Sequence, residues 1–404
     1  MSELSYLGKL LDGVEVEWKM LGEVIHSLKT GLNPRQNFSL NTLDAQGYYV
    51  TVREIQNGKV VFLDKTDRVN DRALKIINGR SNLEAGDILF SGTGTVGRIA
   101  VIEENPINWN IKEGVYTIKP IKEKIAPRFL SYLLQSSKIV KDYSKKIVGN
   151  PVISLPMGDL KKLLIPIPCP DNPEKSLAIQ SEIVRILDKF TALTAELTAE
   201  LNMRKKQYNY YRDQLLSFKE SEVEWKTLGE VAVIGTGNHD TQDAIEHGKY
   251  IFYARGREPL KLNVFDFDET AIITAGDGAG VGKVFHYAKG KYALHQRAYR
   301  IVPNAFMNPR FVYHYITAYF FTYIQKASVS SSVTSLRRPM FLKFPIPVPP
   351  SEEQARIVEI LDKFDTLTNS ITEGLPREIE LRQKQYEYYR DLLFSFPKPE
   401  TVSN

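Results

Sequence analysis

The chain consists of two copies of one long unit. Residues 16–24 read Val-Glu-Trp-Lys-Met-Leu-Gly-Glu-Val, and residues 223–231 repeat this segment with a single change, Thr227 in place of Met20. The distance between the two segments is far longer than the repeat of a solenoid protein. The stretches that follow them differ strongly from each other. The sequence therefore predicts one scaffold that carries two different variable regions.

Matching segments also close each copy. The letters Ile-Leu-Asp-Lys-Phe occur at residues 186–190 and 360–364, and Lys-Gln-Tyr-x-Tyr-Tyr-Arg-Asp occurs at 206–213 and 384–391. A proline-rich stretch precedes them in each copy. Such a stretch is extended, because proline has no amide hydrogen and favours extended backbone in the residue before it. These stretches, predicted to be rigid extended hinges, are residues 165–170 and 344–350.

Each hinge leads into a predicted helix of about 40 residues. Apolar residues alternate there at spacings of four and three, which is the seam of a coiled coil and requires a partner surface. We expect the two helices to pair in an antiparallel coiled coil, although each could instead pack on its own variable region. Gly374 and Pro376 predict a kink or a short break in the second helix. The seam includes Ile183, Ile186, Phe190, Leu193 and Leu197 in copy one and Ile357, Ile360, Phe364, Leu367 and Ile371 in copy two.

Composition narrows the class of protein. A length of 404 residues predicts two to three domains. The formal net charge of +5 permits a polyanionic partner without requiring one. A single cysteine, Cys169, excludes an intramolecular disulfide. No apolar run approaches the ~18 residues of a membrane span, and the N-terminus lacks the pattern of a signal peptide. We therefore expect a cytoplasmic protein.

The variable regions read as mixed α/β, and each contains a glycine-rich turn. Residues 92–97 fit the G-x-G-x-x-G pattern, and residues 276–282 are the matching turn in copy two. In a dinucleotide-binding fold this pattern opens a helix, whereas here a predicted strand follows each turn. Asp277 and Val284 also occupy positions that a phosphate-binding loop reserves for glycine and for serine or threonine. We interpret both turns as glycine-rich hairpins that bring backbone close to a ligand surface.

Catalytic motifs are absent from the sequence. It has neither the Asn-Pro-Pro-Tyr/Phe element of amino-methyltransferases nor a Walker A motif. Glu174 and Lys175 are adjacent, so they do not match the spacing of a PD-(D/E)xK nuclease. The six histidines show no paired spacing of metal ligands. We therefore expect no enzyme activity, no metal and no cofactor in this chain.

The order of these motifs resembles the specificity subunits of type I restriction-modification systems. The resemblance rests on the duplication, on the Pro-x-Pro hinge that leads into Glu-Glu-Gln at residues 352–354, and on the two Lys-Gln-Tyr-x-Tyr-Tyr-Arg-Asp helix ends. It implies two target-recognition domains, each reading half of a split, asymmetric site in double-stranded DNA. It also implies two modification (methyltransferase) subunits and restriction subunits as partners, which would carry the S-adenosylmethionine, ATP and Mg²⁺ chemistry.

We predict that DNA is contacted by polar and basic residues in loops of the variable regions, since Arg, Asn, Gln and His are side chains that read base edges. A solvated loop is the alternative interpretation at each position. The candidates are Lys29, Thr30, Asn33, Arg35, Arg53, Thr93, Arg98 and Lys112 in copy one, and Arg255, Arg257, Lys283, His295, Gln296, Arg297, Arg337 and Arg338 in copy two.

Two other classes of function stay open from the residues alone. The chain could be a coiled-coil scaffold whose variable regions bind non-DNA partners, or an enzyme that uses the glycine turns to bind a nucleotide. Our preferred division is an N-terminal helix (1–13), head one (14–165), a hinge with spacer helix one (166–221), head two (222–344), a hinge with spacer helix two (345–396) and a tail (397–404).

Overall fold

The chain divides into two compact units. Residues 1–196 and 380–404 form unit one, and residues 197–379 form unit two. The computed structural model describes residues 5–11, 13–34, 37–327, 336–370 and 372–397. The predicted DNA-contact residue Arg35 and the predicted seam residue Ile371 lie outside the described residues.

Unit one contains head one, a mixed α/β region. Two short 3₁₀ turns, Leu21–Glu23 and Val52–Glu54, interrupt its strands. Its elements are α1 (Ser5–Leu11), β1 (Val16–Met20), β2 (Ile25–Thr30), β3 (Gly47–Val50), β4 (Ile55–Gln56), β5 (Lys59–Val60), β6 (Arg68–Val69), α2 (Asp71–Arg80), β7 (Ile88–Ser91), β8 (Ile99–Val101), β9 (Trp109–Ile111), β10 (Val115–Pro120), α3 (Pro127–Leu134), α4 (Ser137–Ser144), α5 (Met157–Lys161) and β11 (Leu164–Pro168).

Head one is built on two sheets. The larger sheet has the strand order β2-β10-β7-β8 and the smaller one β6-β3-β9. The predicted hinge is itself a strand: β11 pairs antiparallel with β1, so that Trp18 lies opposite Pro166. Proline is tolerated in this two-stranded ribbon because each strand has a free edge. The repeated frame segment therefore fixes the chain entering the head to the chain leaving it.

The next elements are a long helix and head two. Unit two contains one short 3₁₀ turn, Thr241–Asp243, among its strands. The elements are α6 (Pro173–Leu215), β12 (Glu224–Thr227), α7 (Leu228–Val231), β13 (Ala232–Thr236), β14 (Tyr250–Tyr253), β15 (Leu260–Leu262), β16 (Phe267–Ala275), β17 (Phe285–Leu294), β18 (Ala298–Pro303), α8 (Pro309–Ala327), α9 (Arg338–Leu342), β19 (Pro345–Val348), α10 (Ser351–Asn369) and α11 (Gly374–Leu393).

Head two has one six-stranded sheet with the order β13-β18-β16-β17-β14-β15. Its hinge repeats the arrangement of head one, since β19 pairs antiparallel with β12 and Trp225 lies opposite Pro347. Each head contains a pair of parallel strands, β3 with β9 in head one and β14 with β17 in head two. The mixed α/β prediction is confirmed, and the two heads share the connections that matter for the site described below.

The two spacer helices differ in continuity. Helix α6 runs unbroken over 43 residues. The corresponding segment of copy two is split into α10 and α11, and α11 begins at Gly374, whose φ of 79° lies in the left-handed region that favours glycine. The predicted break in the second helix is confirmed, with helical segments on both sides of it. The cause is this glycine with the proline two residues beyond it.

The predicted seam divides between two surfaces. In unit one, Ile183 is fully buried in the core of head one, and in unit two Ile357 is fully buried in the core of head two. Aromatic contacts between helices follow later in the seam. Phe190 stacks on Tyr389 within unit one at 5.3 Å between ring centroids, and Phe364 stacks on Tyr211 within unit two at 5.5 Å. Both interpretations of the helices are therefore realised, each over part of their length.

The rest of the predicted seam is only partly covered. Of its members, Ile186, Leu197, Ile360 and Leu367 are half-buried, and Leu193 is 37% exposed. Phe190 and Phe364 thus contact aromatic residues of another helix, while Leu193 keeps part of its apolar surface exposed, unlike a member of the fully closed seam that the heptads predict.

Each head is completed by a helix end that belongs to the other copy. In unit one, Phe394 and Phe396 of copy two pack on Phe129 of head one, with ring centroids 5.3 and 6.3 Å apart. In unit two, Phe218 of copy one packs on Phe311 of head two at 6.3 Å. Leu7 and Leu11 of α1 join the same buried cluster as Leu393.

Candidate nucleic-acid interface

The glycine hairpin of head one is held between two neighbouring loops. The Gly92 amide donates to the Gly114 carbonyl at 2.8 Å, and the Gly92 carbonyl accepts from the Leu155 amide at 2.8 Å. The Gly94 amide donates to the Ile153 carbonyl at 2.8 Å. Backbone bonds of this kind leave little freedom to the loops, so residues 92–98, 112–114 and 148–155 form one surface.

Two further loops join that surface through the parallel strand pair. The Lys112 amide donates to the Val50 carbonyl at 2.8 Å, and the Arg98 guanidinium donates to the Val52 carbonyl at 3.1 Å. The Gly114 amide donates to the Thr30 hydroxyl at 3.0 Å. We call these loops together the head-one rim: residues 30–34, 51–53, 92–98, 112–114 and 148–155.

Head two repeats these connections. The Gly276 amide donates to the Arg297 carbonyl at 2.8 Å, the Gly276 carbonyl accepts from the Leu336 amide at 2.7 Å, and the His295 amide donates to the Tyr253 carbonyl at 3.0 Å. The Gly237 amide completes the set by donating to the His295 carbonyl at 3.3 Å. The equivalent surface, the head-two rim, consists of residues 236–240, 254–257, 276–283, 295–297 and 336–338.

The predicted residues of head one are therefore gathered at one end of the head, but not all of them face water. Lys29, Arg98 and Lys112 are exposed. Arg53 is half exposed and ion-paired with Asp67 at 3.1 Å. Two candidates have other roles: Thr30 is buried with its hydroxyl bonded to the Val115 carbonyl, and the Thr93 hydroxyl lies 3.2 Å from that of Ser154. Asn33 is half-buried, and its backbone carbonyl accepts from the Asn37 side-chain amide.

The head-one rim also carries an apolar tip. Val148 and Ser154 exchange two backbone hydrogen bonds of 2.9 and 2.7 Å, which close a small hairpin beside the glycine turn. Three large apolar side chains on it stay in water, with exposed fractions of 56% for Val148, 62% for Val152 and 39% for Ile153. Exposed apolar side chains clustered on a loop mark an interaction site more often than scattered ones do.

The head-two rim is dominated by charge instead. Asp277 in the glycine hairpin accepts hydrogen bonds from two arginines, Arg255 at 2.8 Å and Arg297 at 3.0 Å, one on each carboxylate oxygen. Burial opposes ionisation of Asp277, but the bonds from the two guanidinium groups outweigh it and hold the pKa of this carboxyl below its usual value. The carboxylate is therefore charged at neutral pH and links three loops of the rim.

The other predicted residues of head two lie around this cluster. Gln296 donates to Asp240 at 3.0 Å, and Lys283 lies over the Phe321 ring at 4.9 Å from its centroid. His295 is an exception because only 1% of it is exposed, so its side chain supports the rim from inside. The remaining candidates, all exposed on the rim, are Arg257, Arg337 and Arg338.

We searched the described residues for metal-binding groups and for membrane-spanning helices. Within the described ranges, no three His, Cys, Asp or Glu side chains form a group that could hold a metal ion. Among the helices that the structure describes, none is long and apolar enough to cross a membrane.

Comparison with known proteins identifies the family. The family described as the type I restriction modification DNA specificity domain matches residues 14–204 and 220–381, once for each copy. The chain belongs to this family. It is 42% identical to the EcoR124I/EcoR124II specificity subunit of Escherichia coli, with 100% of both chains covered, and 38% identical to the EcoprrI specificity subunit of the same species, with 92% of this chain and 93% of the relative covered.

Solved structures agree on the fold. A type I restriction-modification S subunit from M. genitalium has a TM-score of 0.59 at 17% identity, covering 96% of this chain and 98% of that one. The chain shares this fold, with two repeated domains and a long helix. As a member of the specificity family it is a DNA-recognition subunit and not a catalytic one.

Several residues of this specificity subunit's rims were missed by the sequence analysis. Asp277 was considered only as a mismatch to a phosphate-binding loop, and the apolar hairpin at residues 148–154 was not considered at all. A further repeated dipeptide, Thr30-Gly31 in copy one and Thr236-Gly237 in copy two, lies at the start of each rim. Comparing the two copies residue by residue, beyond their near-identical frames, would have revealed this last signal.

Proposed function

We propose that each rim reads one half of a bipartite, asymmetric site in double-stranded DNA. The observation that carries the proposal is the combination of a shared backbone with different side chains. The same pattern of hydrogen bonds holds the glycine hairpin in both heads, while the head-one rim adds an exposed apolar hairpin to its basic residues and the head-two rim adds a carboxylate bound by two arginines. A common frame with variable tips is what two different sequence readers on one scaffold require.

The exposed residues of the rims divide by the contact that their chemistry suits. Lys112 on the head-one rim, and Lys29 directly before the first loop of that rim, are point charges that suit phosphates, which position a protein without reading sequence. Arginine can bind either phosphate or the edge of a guanine. The head-two rim presents Arg255, Arg257, Arg297, Arg337 and Arg338 in this way.

The helices would set the gap between the two half-sites and dock partner subunits. Exposed apolar side chains on them support docking, with Met203 47% and Tyr210 63% exposed on α6.

Deleting residues 374–377 would remove about one turn of α11, ~6 Å. We expect the preferred gap to shorten by roughly two base pairs of 3.4 Å. A folded variant with an unchanged gap would show that the break before Gly374 uncouples helix length from spacing.

The partners implied by the family complete the proposal. We infer that two modification subunits and the restriction subunits assemble with this chain in the cytoplasm and carry the S-adenosylmethionine, ATP and Mg²⁺ chemistry. The chain itself would bring no cofactor. Purification of the chain with its modification subunits, followed by mass measurement of the intact complex, tests the expected stoichiometry directly.

Head exchange tests the proposed function itself. Residues 223–344 are replaced by the corresponding segment of another family member, which leaves head one and both spacer helices unchanged. The methylome of cells that express the chimera with its modification subunits then shows the recognised sequence. We expect one half of the site to change and the other half to persist. A chimera that altered both halves, or neither, would contradict independent reading by the heads.

A further inference from the structure

One carboxylate links three of the loops of the head-two rim. Asp277 lies in the glycine hairpin, Arg255 follows strand β14, and Arg297 precedes strand β18. Arg255 donates from Nη1 to Oδ1 of Asp277 and Arg297 donates from Nη1 to Oδ2, at 2.8 and 3.0 Å. The hydrogen bonds orient both guanidinium groups, which would otherwise sample many rotamers in water.

The backbone of Arg297 is fixed as well. Its amide donates to Nδ1 of His295 at 2.9 Å, and its carbonyl accepts from the Gly276 amide at 2.8 Å. Burial and the nearby Arg255 guanidinium lower the pKa of His295, which keeps the imidazole neutral and its Nδ1 able to accept. Phe252 stacks on His295 at 6.4 Å between ring centroids and supports it from the core. Arg297 therefore projects from a rigid base.

Arg297 retains most of its hydrogen-bonding capacity. A guanidinium has five N–H donors, and the bond to Asp277 uses one of them. Its side chain is 64% exposed, against 40% for Arg255. A pair of arginines that served only to brace the loops would gain nothing from leaving one guanidinium largely in water. The cluster carries two positive charges against one negative, so its excess charge is available to an electronegative ligand.

Guanine is the base that matches this arrangement. Its major-groove edge presents two acceptors, O6 and N7, which the fork of an arginine engages together, whereas adenine presents a donor beside N7. An oriented fork gains specificity because a displaced guanidinium cannot make both bonds. We propose that Arg297, oriented by Asp277, reads the major-groove edge of a guanine in the half-site of head two. This inference rests on the proposed function, and Arg255 would act by holding the other carboxylate oxygen in place.

The experiment begins with the recognised sequence, obtained from the methylome. Binding of the complete complex with modification subunits is then measured on duplexes in which each guanine of the head-two half-site is replaced, one at a time, by 7-deazaguanine. This analogue lacks the N7 acceptor and keeps Watson–Crick pairing. We expect one replacement to weaken binding about ten- to a hundredfold. R297A, which removes the bonds to both O6 and N7, should lose at least this factor on the natural site and then become insensitive to the analogue.

A positioning role for Asp277 is tested by D277N, which keeps size and removes the charge. The matched control is D268N, which removes an equal charge from an exposed residue at the opposite end of strand β16. Both variants should bind non-specific DNA slightly more tightly. Only D277N should lose discrimination at the guanine that Arg297 reads. Equal discrimination in the two variants would overturn the role of Asp277.

The outcomes separate this inference from the proposed function. If the complex recognises a site whose head-two half contains no G·C pair, or if R297A weakens binding equally on every sequence, Arg297 contacts phosphate and the inference fails while DNA reading stands. If head exchange leaves the recognised sequence unchanged, the proposed function itself fails. Thermal melting of R297A checks that the variant is folded, which its exposed side chain leads us to expect.

Discussion

Head one and head two hold their glycine hairpins with the same backbone hydrogen bonds, yet the side chains on or beside those hairpins are of different kinds. The head-one rim presents an apolar tip made of Val148, Val152 and Ile153, while the head-two rim presents Asp277 with its two arginines. Backbone bonds do not depend on side-chain identity, so the tips can diverge without loss of the support. The comparison separates what holds a rim from what the rim can recognise.

The same comparison applies where each head meets its spacer helix. In unit one, Asp188 accepts from Arg128 and from the Tyr132 hydroxyl, both at 2.7 Å. In unit two, Asp362 accepts from Arg310 at 2.7 Å and lies 2.7 Å from Nε2 of His314. The aspartates come from the repeated Ile-Leu-Asp-Lys-Phe segment. One junction therefore uses a tyrosine where the other uses a buried histidine.

The largest effect is expected from the glycines that open the rims. A Cβ atom at Gly31 would overlap the Ile111 carbonyl, and one at Gly237 would overlap the Leu294 carbonyl. Because backbone must then move, G31A and G237A should each destabilise their own head by about 3 kcal/mol and abolish reading of one half-site. Half-site preference from the methylome and urea unfolding measure this.

Matched controls lie in the hairpins themselves. Gly94 and Gly278 have φ of 79° and 81°, but a Cβ on either meets no atom within 4 Å. G94A and G278A should cost only the conformational strain, about 1 kcal/mol. If these controls were as damaging as G31A and G237A, the close backbone approach would not be the critical feature of the rims.

The next effect concerns the helix junctions. D362A leaves His314, which is fully buried, without its carboxylate partner, so we expect a loss of about 2 kcal/mol in unit two. D188A should cost about 1 kcal/mol in unit one, because Arg128 is 43% exposed and the Tyr132 hydroxyl also lies 3.3 Å from that of Thr191. Hydrogen exchange resolved by peptide reports each junction separately. Equal losses would mean that the histidine and tyrosine junctions are equivalent.

The sequence predicted the duplication, the mixed α/β heads, the break before Gly374 and the glycine hairpins, because all of these are recorded in local pattern or in direct repetition. It left open whether Ile183 and Ile357 pack on the heads or on the other helix, since periodicity shows which face of a helix is apolar but not which surface covers it. It also placed Thr30 and His295 among the surface candidates. Their burial arises from contacts between loops distant in sequence, which residue type alone does not reveal.

A smaller effect should separate the chemistry of the two tips. The double variant V148S/V152S removes apolar contact area from the head-one rim, and we expect binding to weaken by about 1 kcal/mol. Its salt dependence should be unchanged, because no charge is lost. R337A/R338A in the head-two rim should weaken binding by a similar amount and reduce the slope of log K against log salt by about one for each phosphate contact removed. Titrations at several salt concentrations measure both slopes, and a changed slope in the valine variant would refute an apolar contact.

The smallest effect is expected in acid and in unit two. Burial acts to raise the pKa of Asp362, but the hydrogen bond from His314 and the charge of Arg310 outweigh it and hold that pKa below its usual value. A carboxyl whose pKa is lowered by folding stabilises the fold fully above the pKa of the unfolded chain, about 3.9 for aspartate. That contribution is lost as the pH falls through the lowered value. The D362N variant lacks this contribution to stability at every pH.

Cleavage by pepsin between about pH 2 and 5 tests this sign, because the protease is active where the aspartate titrates. The quantity to follow is the rate of cleavage in α8 and α10 of D362N divided by the rate in the unchanged protein. We expect a ratio above one near pH 5 that approaches one as the pH falls, since protonation of Asp362 removes the same interaction from the unchanged protein. D268N, which removes an exposed carboxylate from the same unit, should give a ratio near one throughout. A D362N ratio that stayed constant would mean that Asp362 does not stabilise the junction of unit two through its charge, and the contrast with the tyrosine junction of unit one would then rest on packing alone.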